Sequence, residues 1–183
     1  MKKGAYAVLF SALVTSCGPK YAPPPNLPSS ITQISTPQET QQWLDTVLTY
    51  ERDPILHSTK DFWAPCSLTY ALRKGDCEDY AICAAALLEN DVEQGYIIYI
   101  NNPGKDKAHA VFAYRINGHW GINSNNRSEY RLPTSSSLRS ILIDALADDY
   151  TNYSIYDYQE VDLINGNQDL KSKMKKIREG ELK

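Results

Sequence analysis

The chain has 183 residues, of which 42% are hydrophobic and 22% charged, a balance typical of one globular domain with short extensions. Its formal net charge of −3 excludes the strongly basic character of nucleic-acid-binding proteins, so no nucleic-acid partner is expected. The four cysteines form no CxxC pair, which excludes the usual structural zinc sites.

The amino terminus has the layout of a secretory signal. Two lysines precede a short apolar run, and Val14-Thr15-Ser16 leads into Cys17. The run is too short to span a bilayer. It resembles a bacterial lipoprotein signal peptide (1–16), which is cleaved before a cysteine that then receives acyl chains such as palmitate. Gly18, where an aspartate would retain the protein at the inner membrane, favours the outer membrane, facing the periplasm.

The next segments divide the mature chain. Residues 17–35 are rich in proline and serine and predict a tether between the lipidated cysteine and the domain. Thr36-Pro37-Gln38-Glu39 is a capping box with proline at the first helical position, so the domain is expected over 36–166. Residues 167–183 are polar and basic, and a loose helical tail is expected there.

Helices are expected in the first half of the domain and strands in the second. Apolar spacing predicts a helix after Thr36, one over 65–73 that stops at Gly75, and one from Cys77 to about Asn90 with Asp76 as its cap. Asn117-Gly118 is a hairpin signal. The expected later elements are strands at 95–101, 108–116, 119–123 and 129–132, a helix at 137–150 and a strand at 153–161. Helices followed by an antiparallel sheet predict an α+β fold.

Cys77 has the features of a nucleophile. It lies at the start of a helix, where free backbone N–H groups favour the thiolate and can hold an oxyanion. Asp76 and Glu78 oppose thiolate formation, so a nearby cation has to outweigh them.

The chain has three histidines that could act as the base. His57 lies in a predicted loop, and His119 follows the hairpin turn. His109 lies inside a strand of small and apolar residues, where a core histidine bonded to backbone is the alternative. Combined with a cysteine at a helix start, His109 is the expected base.

These residues resemble a family. Residues 61–81, DFWAPCSLTYALRKGDCEDYA, with 109–123 and 137–146, are similar to the transglutaminase-like cysteine proteinases of the papain-like superfamily. The resemblance implies a papain/transglutaminase-like fold with the nucleophile at a helix N-terminus packed on an antiparallel sheet. It also implies Cys77 as nucleophile and His109 as base.

The resemblance also implies a calcium-binding site. Calcium-dependent periplasmic proteases that cut surface adhesins carry a similar stretch, and the acids flanking their cysteine bind the ion. The matching residues are Asp76 and Glu78, whose hard oxygens suit Ca²⁺. The alternative is that Asp76 only caps the helix and Glu78 only favours its positive end, in which case no cofactor is required.

The third catalytic residue departs from the family pattern. The family has an aspartate on the strand after the histidine, and this chain offers asparagines and a serine instead. Motif order favours Asn123, with Ser124 and Asn126 as alternatives. A regular hairpin pairs positions summing to 235, which turns Asn123 away from His109, so the choice requires a bulge, for which Gly121 is suited.

The sequence leaves two questions open. Cys66 and Cys83 could form a disulfide in the periplasm or remain buried free thiols, and the latter is favoured. The expected function is a membrane-anchored peptidase or amidase that forms a thioester, acting on a protein loop or a peptidoglycan peptide. The alternatives are an acyl-transferring transglutaminase and a papain-like domain that binds without catalysis.

Overall fold

A computed structural model describes residues 27–28, 31, 33–57, 61–166 and 169–182. Five α-helices, two short 3₁₀ helices (Pro103–Lys105 and Leu170–Ser172) and eight strands are defined there. The helices are α1 (Pro37–Val47), α2 (Asp53–Leu56), α3 (Cys66–Leu72), α4 (Cys77–Leu88) and α5 (Leu138–Leu146). The strands are β1 (Thr49–Tyr50), β2 (Lys74–Gly75), β3 (Gln94–Asn102), β4 (Lys107–Ile116), β5 (His119–Asn123), β6 (Arg131–Ser135), β7 (Asn152–Asp157) and β8 (Lys175–Glu181).

One six-stranded sheet organises the domain. Its strand order is β6-β5-β4-β3-β7-β8, and every neighbouring pair is antiparallel. The short strands β1 and β2 form a separate parallel pair between the helices. The predicted α+β class, with helices before an antiparallel sheet, is confirmed.

The sheet is covered on both faces because successive side chains of a strand point to opposite sides. One face of β3 and β4, with Ile97, Phe112 and Tyr114, shares a core with α4. The opposite face, with Ile98 and Val111, shares a second core with α5. The alanine-rich sequence of α4 lets its buried backbone lie close to the sheet, and α4 thereby fixes the position of Cys77.

Local signals account for several element ends. Thr36 and Glu39 form the expected capping box at the start of α1. Asn117 and Gly118 both have positive φ, at 51° and 75°, which is the backbone of the predicted two-residue hairpin. The end of α3 was expected at Gly75, but the left-handed residue that ends it is Arg73, with φ 55°.

A disulfide joins Cys66 at the start of α3 to Cys83 in the middle of α4. The two helices pack side by side and bring these buried cysteines together. The expectation that both remain free thiols is therefore wrong. Cys77 is the free cysteine of the described residues. Within the described part of the chain, no helix is both long and apolar enough to cross a membrane.

The structure differs from expectation at both ends of the domain. Residues 175–181 form β8 on the edge of the sheet instead of a loose helix, because Leu170, Met174 and Leu182 are buried and hold the segment against the core. Leu27 and Ile31, within the predicted tether, are also buried in the α4 core. Cys17 and the predicted signal peptide lie outside the described residues.

Candidate active site

The start of α4 is fixed by reciprocal hydrogen bonds. Asp76 and Asp79 form a capping box, in which the Asp76 N–H donates to Asp79 Oδ2 over 3.3 Å. The Ala64 N–H donates to the other carboxylate oxygen of Asp79 over 2.8 Å. A Cβ on Gly75 would lie 2.7 Å from Asp79 Cβ, so this approach requires glycine. The run Gly-Asp-Cys-Glu-Asp thus sets Cys77 rigidly at the helix N-terminus.

The Cys77 thiol lies beside the first residues of β4. Strand β5 pairs with β4 only up to Asn123, which is opposite Phe112. The preceding residues of β4 are not paired with β5. In this unpaired part of β4, the backbone of Ala110 forms a hydrogen bond with the Cys77 thiol. Ala110 follows His109 directly, so the structure brings the predicted nucleophile to the strand position next to the predicted base.

The His109 imidazole is held by a carboxylate. Its Nε2 lies 2.7 Å from Glu129 Oε2 and 3.1 Å from Ser124 Oγ. His109 is 7% exposed and Glu129 only 4%. The ring also stacks on Tyr150, with the centroids 5.9 Å apart and the planes 17° from parallel. Because Nε2 faces Glu129, Nδ1 is the ring nitrogen left to exchange a proton with a thiol.

Glu129 is fixed in turn by the loop between β5 and β6. Ser124 Oγ donates to its Oε2 over 2.8 Å, and Asn126 Nδ2 donates to its Oε1 over 3.0 Å. Burial raises the pKa of Glu129, but His109, Ser124 and Asn126 outweigh burial and leave it below its ordinary value. Glu129 is therefore an ionised acceptor at neutral pH.

The structure does not place Asn123 against His109. The pairing of β4 with β5 is regular up to Asn123, without the bulge that this choice required. The irregularity near Gly121 lies in the pairing of β5 with β6 instead. His109 and Asn123 therefore point to opposite faces of the sheet, as the two-residue repeat of a strand dictates.

Asn123 has a different set of contacts. Its Nδ2 donates to the carbonyl of Pro37 over 3.0 Å and to Gln41 Oε1 over 3.1 Å. Gln41 Nε2 also donates to the Ser124 carbonyl over 2.7 Å, and Gln41 Oε1 accepts from the Ser124 N–H over 3.2 Å. These bonds join the end of β5 to α1. Asn123 thus supports the loop that carries Ser124 and Glu129.

The other two histidines lie away from this pair. His57, expected in a loop, is buried at the end of α2, where its Nε2 is 3.9 Å from both Asp53 and Asp79. His119 is at the start of β5, and its Nδ1 is 2.8 Å from the Asn117 carbonyl oxygen.

The thiol is surrounded by acids. Cys77 Sγ donates to Glu78 Oε2 over 2.8 Å. Burial, followed by the charges of Glu78 and Asp76, raises the pKa of Cys77 well above its ordinary value, although the Ala110 backbone acts in the opposite direction. Without a bound cation, the partial positive charge of the helix N-terminus does not offset burial and the neighbouring acids, so the Cys77 thiol is protonated.

The same acids have the composition of a cation site. Burial, together with the neighbouring acids, raises the pKa of Asp76 to about 7 and that of Glu78 to about 9. Oxygens of Asp53, Asp61 and Glu78 lie within 4.8 Å of one another, as do ligand atoms of Asp76, Cys77 and Glu78. Asp76 Oδ1 is buried and makes no hydrogen bond within the described residues. An unpartnered carboxylate oxygen among further carboxylates suits Ca²⁺.

A family model described as a transglutaminase-like domain matches residues 26–123. The chain belongs to the transglutaminase-like family. Since the match ends at residue 123, it includes Cys77 and His109 but not Glu129. This match confirms the expected transglutaminase-like family and fold.

Solved structures of LapG from Legionella pneumophila are similar to this transglutaminase-like chain. The EGTA-treated form has 22% identity and a TM-score of 0.37, covering 48% of this chain and 49% of its own. The calcium-bound form has 21% identity and a TM-score of 0.39, covering 61% and 74%. A third LapG structure has 20% identity and a TM-score of 0.38, covering 52% and 56%. The chain thus spans about half the length of the LapG chain in two of these structures. No curated protein matches it.

Glu129 is a candidate site residue that the sequence did not predict. The sequence predicts a strand over 129–132, whereas β6 begins at Arg131 and Glu129 lies in the preceding loop. One signal was present, because Glu129 is the sole carboxylate between Asp106 and Asp144. A histidine base that needs an acid downstream had only this residue within reach.

Proposed function

We propose that this transglutaminase-like domain is a cysteine peptidase or amidase with Cys77 as nucleophile and His109 as general base. Glu129 takes the positioning role that the sequence had assigned to Asn123. The observation that carries the proposal is the buried Glu129–His109 pair, whose histidine directly precedes the β4 residue acting on the thiol. A nucleophile, a base and an orienting group in this order constitute the arrangement used for acyl transfer.

The reaction would proceed in two acyl transfers. His109 Nδ1 takes the proton of the Cys77 thiol, and Sγ attacks the substrate carbonyl carbon to form a tetrahedral oxyanion. The imidazolium, stabilised by Glu129, then gives its proton to the leaving amine as the C–N bond breaks and a thioester remains. Water, deprotonated by His109, attacks the thioester and releases a carboxylic acid and the free thiol.

The helix that carries Cys77 supplies the oxyanion site. The first backbone N–H groups of α4 have no partner within the helix and point along its axis to the region of the thiol. They combine with the partial positive charge of the helix N-terminus to stabilise negative charge on the attacked carbonyl oxygen.

Calcium is proposed as a cofactor of the acidic cluster, held by Asp76 and Glu78 with Asp61 as a further ligand. Their carboxylates and the unpartnered oxygen of Asp76 fit a hard cation. A bound cation would supply positive charge that offsets the acids raising the thiol pKa. This chain's own residues would hold the ion and keep Cys77 at the edge of the site.

The proposed setting is the bacterial cell envelope. The lipoprotein-like signal over residues 1–16 supports an anchor through acylated Cys17, with the domain facing the periplasm at the outer membrane. A disulfide between Cys66 and Cys83 suits that oxidising compartment. The proposed substrate is a protein loop or a peptidoglycan peptide.

Labelling with a thiol-directed acyl probe tests the enzyme function. The purified chain should be labelled at Cys77 in the presence of calcium, and Cys77→Ala should abolish this label. His109→Ala should reduce it strongly, whereas His119→Ala, a histidine outside the site, should label like wild type. Labelling that is indifferent to His109 would instead support a domain that binds without catalysis.

A further inference from the structure

The segment before β8 returns to the acidic cluster beside the thiol. The Leu170 N–H donates to the Trp63 carbonyl over 3.0 Å, and Leu170 is 2% exposed. Asp169 Oδ1 accepts from the backbone N–H groups of both Trp63 and Lys171, over 3.3 and 3.1 Å. These bonds hold the turn that carries Lys171 against the residues preceding α3.

The ammonium group of Lys171 contacts the acidic cluster. Its Nζ lies 2.6 Å from Asp61 Oδ2, and the other oxygen of Asp61 accepts from Trp63 Nε1 over 3.0 Å. The ammonium also lies 5.0 Å from the Trp63 ring centroid and 4.9 Å from that of Tyr99. An ammonium at this distance from two aromatic rings and a carboxylate is well stabilised.

Asp61 links Lys171 to the thiol. It shares a hydrogen bond with Glu78, which accepts from Cys77 Sγ. Burial lowers the pKa of Lys171, but Asp61 outweighs burial and keeps it above its ordinary value, so the ammonium stays charged. One lysine thus neutralises part of the charge that a metal ion would neutralise.

We propose that Lys171 is a tethered counter-ion that competes with a divalent cation for Asp61 in the acidic cluster. The inference rests on the calcium site of the proposed function and adds its regulation. A divalent cation bound to the Asp61 carboxylate would repel the ammonium that already contacts this group and weaken that contact. The cluster is therefore partly neutralised without metal, and Lys171 raises the calcium concentration needed to load the site.

Removing this charge should strengthen calcium binding. Lys171→Met keeps most of the apolar stem over Trp63 and removes the ammonium. A unit charge a few ångströms from a divalent ion, screened by a partly exposed site, corresponds to roughly tenfold in affinity. The matched control is Lys173→Met, an exposed lysine two residues further along the same turn.

Calorimetric titration of each full-length variant with calcium chloride gives the readout, independently of activity. Lys171→Met should bind about tenfold more tightly than wild type, and Lys173→Met should bind like wild type. The unmodified protein provides a second measurement. Amine labelling of Lys171, followed by peptide mass spectrometry, should speed up when calcium is added, while labelling of Lys173 stays constant.

The outcomes separate this inference from the metal site itself. Equal or weaker calcium binding by a folded Lys171→Met variant would overturn the competition and leave the calcium site standing. Unchanged labelling of wild-type Lys171 on calcium saturation would also overturn it, even where the variant fails to fold. If wild type and both variants bind no calcium, the proposed site is refuted, and the inference is refuted with it.

Discussion

Replacing Glu129 by glutamine should weaken the proposed Cys77–His109 catalytic pair while keeping the size and shape of the side chain that contacts His109. The 2.7 Å contact between Glu129 Oε2 and His109 Nε2 joins two buried side chains. At an effective dielectric constant of about 20, two unit charges at that distance attract by about 6 kcal/mol, which is an upper limit. Since the desolvation cost offsets part of this attraction, we expect a loss of about 3 kcal/mol, or about a hundredfold in thiolate–imidazolium population.

The assay is the rate of Cys77 alkylation by iodoacetamide across pH, with calcium present and Cys77→Ala as the blank. Glu129→Gln should lower the rate about a hundredfold at neutral pH. The difference should vanish in alkaline solution, where the thiolate forms without help from His109. Circular dichroism establishes that the variant is folded.

Asn123→Ala is the matched control because Asn123 lies on the opposite face from His109. It removes two buried hydrogen bonds to α1, so the free energy of unfolding should fall by about 1–3 kcal/mol. Alkylation should change little, because Gln41 still bonds the Ser124 backbone and holds the start of the loop that carries Glu129. If Asn123→Ala slowed alkylation as much as Glu129→Gln, or if Glu129→Gln reacted like wild type, the assignment of Glu129 as the positioning residue would be wrong.

Three further predictions concern stability and location. In calcium-free buffer, the free energy of unfolding should decrease as pH rises from about 4 to about 9. The folded state raises the pKa of Asp76 to about 7 and of Glu78 to about 9 chiefly by burial, so it holds protons that the unfolded chain releases. Urea melts of the Asp76→Asn, Glu78→Gln double variant should show a flatter profile, and an unaltered slope would contradict this origin. Replacing Cys66 and Cys83 by alanine should cost about 3 kcal/mol, because the bond joins residues 17 apart, and equal urea midpoints for variant and wild type would argue against the disulfide. Cys17→Ser should move the protein from the membrane to the soluble fraction, and persistent membrane association would rule out the lipid anchor.

Local chemistry explains which parts of the fold could be predicted. The capping box at Thr36 and Glu39, the hairpin at Asn117-Gly118 and the helix beginning at Cys77 each depend on residues within a few positions. The prediction of a loose helical tail over 167–183 is wrong because the structure of this segment depends on long-range contacts. Residues 175–181 are polar by composition, and they form strand β8 because they pair with the edge of β7 while buried flanking residues hold the segment against the core.

The proposed partner of His109 also depends on both local sequence and tertiary structure. The hairpin register followed from the turn and already directed Asn123 away from His109. Motif order favours Asn123, but the bulge that this residue requires is absent from the pairing of β4 with β5. Glu129 reaches His109 through a loop whose path depends on bonds from Ser124 and Asn126, and no sequence spacing encodes that path.

The sequence by itself determined that Cys77 lies at the start of a helix, that His109 lies within a strand, and to which family the chain belongs. Each is written in contiguous residues whose hydrogen bonds and side-chain period are local. Only the tertiary structure decided the charge state of the thiol, the carboxylate behind His109 and the return of Lys171 to the acidic cluster. These depend on burial and on distances of a few ångströms between segments far apart in the chain. The electrostatic energy of a charge is fixed by such distances and by the water excluded around it.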